Sequence, residues 1–304
     1  MQEANVNLIA IGTQIVTRVP ILNRSGKIAH PAGAVGVIVA WLDDKRYRVR
    51  FLDGYEENFA EVDLAVRKHF QLEGMKDAAA SQPTDYSPYI IYRCIVGSRA
   101  YGLDHDSSDT DRRGIYLPPA DLHWSLYGIP EQIENQETQE CYWELQKFIA
   151  LGLKANPNVL ECLYTPLIEF ATPLIEELLA QRSIFLSRLT YQTYNGYVMS
   201  QFRKLNADLE NYGQIRWKHA MHLIRLLLSG ITILREGFVP VRVDEFREKL
   251  LTIRQGKMPW EEVNAWRLAL HKTFDAAFAE THLPPHPDYE AANVFLIKAR
   301  RLMV

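Results

Sequence analysis

A chain of 304 residues with 47% apolar content can bury a sizeable core, and its length admits one large domain or two to three small ones. No window approaches the roughly 20 apolar residues of a membrane span, and the start MQEANVNLIAIG lacks the basic and apolar regions of a signal peptide, so no membrane partner and a cytoplasmic location are expected. Three scattered cysteines, Cys94, Cys141 and Cys162, without CxxC spacing point to core thiols rather than a disulfide framework or a zinc site, and a formal net charge of -3 leaves any nucleic-acid binding to local basic patches.

From Leu8 to Phe70 the chain reads as short strands broken by turns: VIVAWL, Asp43-Asp44, KRYRVRFL, Asp53-Gly54, YEENF. This pattern predicts a small SH3-like barrel over residues 1–70. In KRYRVRF the period of two sets Arg46, Arg48 and Arg50 on one face, a candidate nucleic-acid surface, and Tyr47, Val49 and Phe51 on the core side. The preceding HPAGAVGVIVAWL resembles the glycine turn and strand of KOW-type barrels in RNA-associated proteins. Residues 71–87, small, polar and proline-containing, read as a linker.

An apolar strand, Ile90 to Val96, runs straight into GSRAYGLDHDSSDTDRRGIYLPP. Gly97-Ser98 at the strand end lets backbone N–H groups approach a phosphate. Asp109 and Asp111, two apart in a segment of strand character, point to one face. With α-carbons roughly 7 Å apart they repel by about 2 kcal/mol at an effective dielectric near 20, and a divalent cation reverses that sign. Beyond them the pattern turns helical, with starts at Asn156-Pro157 and Thr172-Pro173, then long helices at about 190–210 and 214–236, and two or three more to residue 303. In WKHAMHLIRLLL, Lys218, His222 and Arg225 fall at i, i+4 and i+7, one row about 10 Å long.

The strand, Gly-Ser, ten intervening residues and Asp-x-Asp resemble the nucleotidyltransferase motif of the DNA polymerase beta superfamily. Together with KFIALGLKANPNVLECLYTP and KHAMHLIRLLLSGITILREG they resemble a bacterial and phage family of predicted nucleotidyltransferases proposed to act in RNA repair. The expected fold class is α+β: the SH3-like β-barrel and a C-terminal helical domain over 171–304, read from the strand and helix patterns, and a core over 88–170 that the resemblance implies is a polymerase-beta-type α/β fold. The resemblance also implies that Gly97 and Ser98 hold the terminal phosphates of a nucleoside triphosphate and that Asp109 and Asp111 bind magnesium, two ions in all. A third carboxylate belongs on a neighbouring strand, with Glu140 the first choice and Glu144 and Glu137 behind it. Lys218, His222 and Arg225 are expected to bind the nucleotide. The expected reaction is transfer of a nucleoside monophosphate to an acceptor hydroxyl, preferably an RNA end. The alternatives are a protein or small-molecule acceptor, or a nucleotide-binding adaptor with an incomplete metal site.

Overall fold

The computed structural model describes residues 8–23, 25–42, 46–70, 84–105 and 108–304. They divide into two compact units, Met1–Thr84 and Asp85–Val304. The boundary falls within the expected linker, of which residues 71–83 lie outside the described residues, as do Asp43 and Asp44 of the expected first turn.

The first unit is an antiparallel β module. Its strands are β1 (Gln14–Thr17), β2 (Ile21–Leu22), β3 (Ile28–His30), β4 (Val35–Leu42), β5 (Arg46–Phe51), β6 (Glu56–Ala60) and β7 (Leu64–Val66). Five of them form a sheet in the order β6-β5-β4-β1-β7, while β2 and β3 pair separately. The alternation in β5 is strict: Arg46, Arg48 and Arg50 are exposed, and Tyr47, Val49 and Phe51 are buried among Ile15, Ile38, Phe59 and Leu64. The period-two pattern of charge and aromatic residues thus decides which face of this strand meets the core.

The second unit is a mixed sheet followed by helices. Strands β8 (Ile90–Val96), β9 (Asp111–Tyr116), β10 (Gln132–Asn135), β11 (Glu140–Glu144) and β12 (Ile168–Ala171) lie in the order β10-β11-β9-β8-β12. Only β9 and β11 run parallel; the other pairs are antiparallel. Short helices α1 (Gly97–Tyr101) and α2 (Ala120–Trp124) follow β8 and β9. Then come α3 (Leu145–Leu153), α4 (Pro157–Tyr164) and α5 (Pro173–Ala180). The helical part consists of α6 (Leu189–Tyr212), α7 (Trp217–Glu236), α8 (Arg247–Arg254), α9 (Trp260–Glu280) and α10 (Tyr289–Arg301). Asn156 caps α4 as expected, its side chain accepting from the N–H of Asn158 and Val159, with Pro157 in the first turn.

Residues 88–170 and 171–304 share one hydrophobic core, which runs from Tyr92, Cys94 and Ile115 on the sheet to Leu227 and Phe274 on the helices. Helix α7 packs against α6, α8 and α9. It is buried on most of its circumference, as an apolar helix at the centre of a domain must be. All three cysteines are free and buried. Among the described residues no helix is long and apolar enough to cross a membrane.

Candidate active site

The Gly-Ser motif sits where β8 turns into α1. Val96 pairs with Asp111 across the antiparallel β8–β9 ladder, which brings the strand end of one motif beside the second aspartate of the other. Gly97 has φ +71°, and a Cβ there would stand 2.5 Å from Asp111 Oδ2. Backbone conformation and space both call for glycine. Asp111 is half-buried, with Arg113 Nη2 3.7 Å from its Oδ1. Asp109 is exposed and lies two residues before the strand, so only Asp111 of the two is a strand residue. The intervening loop is held by Arg99, which donates to the carbonyl of Ser108 (2.7 Å) and faces Asp104 at 3.9 Å.

The carbonyl end of α1 is secured from the helices. Arg247 Nε donates to Gly102 O (2.7 Å) and Arg254 Nη1 to Leu103 O (2.8 Å). Gly102 is the left-handed cap of α1 and Leu103 the residue after it, so these cations satisfy the two carbonyls just past the helix end.

Glu140 does not share a face with Asp111. Its register partner on β9 is Arg112, and consecutive strand residues point to opposite faces. On that other face Glu140 accepts from Tyr142 Oη (2.8 Å) and lies 4.0 Å from Arg112 Nη1, while Arg112 Nε is 2.9 Å from Glu169. The structure does not bring Glu140, expected to complete the metal site, onto the face of Asp111: the parallel β9–β11 register aligns it one residue away. Glu144 is buried at the far end of β11, capping α3 and paired with Arg300 at 2.7 Å. Glu137 is exposed in the turn between β10 and β11. Among the described residues no three His, Cys, Asp or Glu side chains gather closely enough to hold a metal ion. Asp109 and Asp111 fit magnesium as a pair of hard oxygen donors, since that ion keeps several waters and takes further oxygens from substrate phosphates.

The row on α7 divides. Lys218 is exposed at the start of the helix, whereas Arg225 is only 1% exposed. Arg225 Nη1 donates to Glu161 Oε1 (2.6 Å), and its guanidinium lies 3.8 Å from the centre of the Tyr101 ring. Tyr101 Oη donates to the other oxygen of Glu161 (2.6 Å). Burial pushes the Tyr101 hydroxyl well above its usual range. Arg225, expected to bind the nucleotide, is instead buried with its charge neutralised inside the protein by Glu161. His222 receives an N–H from Arg225 Nη2 at Nδ1 (3.2 Å). Burial first, then the charge of Arg225, pulls its pKa down to about 3, so the ring is neutral and offers no cation to a phosphate. His219 pairs instead with Asp208 at 3.0 Å. Sequence reasoning missed Glu161, a lone carboxylate within the apolar VLECLY that carried the only available signal.

In the first unit Arg50 Nε is 2.6 Å from Glu56 and Arg48 Nε donates to Asn58 (3.2 Å), so the exposed arginine row is partly engaged by β6.

A family model described as "RNA repair pathway DNA polymerase beta family" matches residues 68–298, which takes in the whole sheet of the second unit and nearly all its helices. The chain is also 24% identical over 193 residues to the uncharacterized protein YcgL of Bacillus subtilis (strain 168), covering 59% of this chain and 74% of that protein.

Proposed function

Because the chain belongs to the RNA repair pathway DNA polymerase beta family, we propose that it is a magnesium-dependent nucleotidyltransferase that moves a nucleoside monophosphate from a triphosphate to a hydroxyl at an RNA end. The observation that supports this reading is the close seat of the Gly97 backbone on the carboxylate of Asp111, the second aspartate of Asp-x-Asp.

Gly97 and Ser98 hold the terminal phosphates through backbone N–H groups and the Ser98 hydroxyl. Asp109 and Asp111 hold magnesium, which when bound neutralises charge on the transferring phosphoryl group and its leaving group. Arg113 keeps the Asp111 carboxylate in place from 3.7 Å. Lys218, exposed at the start of α7, supplies positive charge to the phosphate chain. His222, neutral, contributes hydrogen bonding only. The acceptor oxygen bonds the α-phosphorus in line as the bond to pyrophosphate breaks. Arg46, Arg48 and Arg50 present an exposed basic strand face suited to the RNA backbone.

Incubating the protein with α-labelled triphosphates, magnesium and RNA oligonucleotides of defined ends tests this reading. Label appears on RNA with the parent and not with Asp111→Asn. The position of Glu140 on the opposite face favours a second reading, a nucleotide-binding adaptor. Metal-stimulated triphosphate binding without label transfer to RNA, protein or small-molecule acceptors decides for the adaptor.

A further inference from the structure

One face of β9 carries Asp111, then Arg113 roughly 7 Å further along, and at Arg113 a cavity of about 420 Å³ opens between the β10–β11 edge and the α3–α4 turn. Its size is that of a small-molecule site. Its lining is dominated by amide residues, including Gln136, Gln139, Asn156 and Asn158, with Trp143 also in the lining. Asn156 is occupied in capping α4 and in bonding Tyr197. Gln136 and Asn158 are exposed, and neither side-chain amide bonds another described residue. The segment KANPN, prominent in the sequence and given no chemistry by the capping of α4 alone, supplies one wall.

Backbone strain marks the same place. Gln139 (φ 56°) and Ala155 (φ 52°) are the two non-glycine residues of positive φ among the described residues. Gln139 lines the cavity, and Ala155 directly precedes Asn156. The Gln139 carbonyl accepts from the Arg112 N–H (3.1 Å) and from Arg113 Nη1 (2.9 Å), which fixes the cavity rim against the strand that bears Asp111. Strained backbone persists where the surroundings enforce it, and such places cluster at binding sites.

The charge of the lining selects the ligand. Arg113 is the one cation in it, already engaged by Asp111 and two carbonyls, and Glu134 adds a carboxylate to the same lining. An anionic phosphate is disfavoured in such a lining. A flat neutral group with alternating donors and acceptors suits it, since each amide offers both. We infer that this cavity takes a nucleobase, read by Gln136 and Asn158. The base belongs either to the triphosphate or to the terminal nucleotide of the acceptor. The inference rests on the nucleotidyltransferase reading only for the chemistry at Asp111.

The experiment is equilibrium binding to the full-length protein without magnesium, in two arms. One arm titrates ATP, GTP, CTP and UTP; the other titrates short single-stranded RNAs that differ only in the terminal base. The parent should prefer one base by tenfold or more in at least one arm, which identifies the source. The double variant Gln136→Ala/Asn158→Ala should bring the four affinities within about twofold at an unchanged thermal midpoint, while Asp111→Asn keeps the preference. Equal or absent binding by the parent in both arms, or the parental ratio in the double variant, overturns the inference. A parent that shows the preference yet transfers no nucleotide to any acceptor supports the cavity and overturns the transferase reading.

Discussion

Gly97 has two reasons to be glycine, and they predict different symptoms. Any other residue pays about 1–2 kcal/mol for the left-handed conformation. Its Cβ would also displace the Asp111 carboxylate, 2.5 Å away. Gly97→Ala is therefore expected to lower stability by that modest amount in urea titration while removing nucleotide transfer almost completely. Asp111→Asn separates the two effects. With its partner Arg113 at 3.7 Å and the site half-exposed, the change should leave unfolding free energy within about 1 kcal/mol of the parent. The upward shift of the thermal midpoint by magnesium plus triphosphate should vanish.

His222 gives the fold an acid limb. In the native state its pKa is about 3, against 6.5 ordinarily, so the unfolded chain takes up its proton first as pH falls. Stability is full above about pH 6.5 and declines toward pH 3 by up to about 1.4 kcal/mol per unit. Arg225, Lys204, His219 and Lys218 all oppose a charge on this ring. Urea unfolding at pH 7.5 and pH 5 should show the parent losing about 2 kcal/mol more than His222→Gln. Equal losses would remove His222 from the acid limb.

At the scale of elements, the buried Arg225–Glu161 pair ties α7 to α4 and, through Tyr101, to α1. Removing one partner strands the other's charge in the core, at about 3–5 kcal/mol. Arg225→Leu and Glu161→Leu should each destabilise by that order in denaturant titration, and the double replacement should recover most of the loss. A double variant as unstable as the two single changes combined would mean that the cluster acts through shape rather than charge. Local patterns were legible in the sequence. The alternation in β5, the cap at Asn156 and the strand preceding Gly97-Ser98 depend on neighbours a few residues away. The face taken by Glu140 was not, because it depends on the parallel register between β9 and β11. The fate of Arg225 was not either: a stripe of polar residues reads as solvated, but α7 is enclosed by α6, α8 and α9, and the carboxylate that neutralises Arg225 lies 64 positions earlier.

For the whole molecule, two separate cores imply two separable units. A fragment beginning at residue 85 should be soluble, unfold cooperatively and retain triphosphate affinity. An insoluble fragment, or one without a cooperative transition, would show that the first unit is needed for folding. If the arginine face of β5 holds RNA, changing Arg46, Arg48 and Arg50 to Gln should flatten the dependence of log affinity on log salt by about 0.7 for each phosphate of a single strand that is no longer neutralised. An unchanged slope across several salt concentrations removes that face from RNA binding.

The two arginines that hold the end of α1 come from positions 145 and 151 residues further along the chain. Contacts so distant in sequence form late, since loop closure precedes any gain from them. On a ribosome the Gly-Ser turn and the Asp-x-Asp strand emerge long before α8 does. A nascent chain stalled before Arg247 therefore holds every residue of the Gly-Ser and Asp-x-Asp motifs without either arginine that braces the end of α1. Completion of synthesis, rather than appearance of the motif, becomes the event that sets the Gly-Ser turn in place.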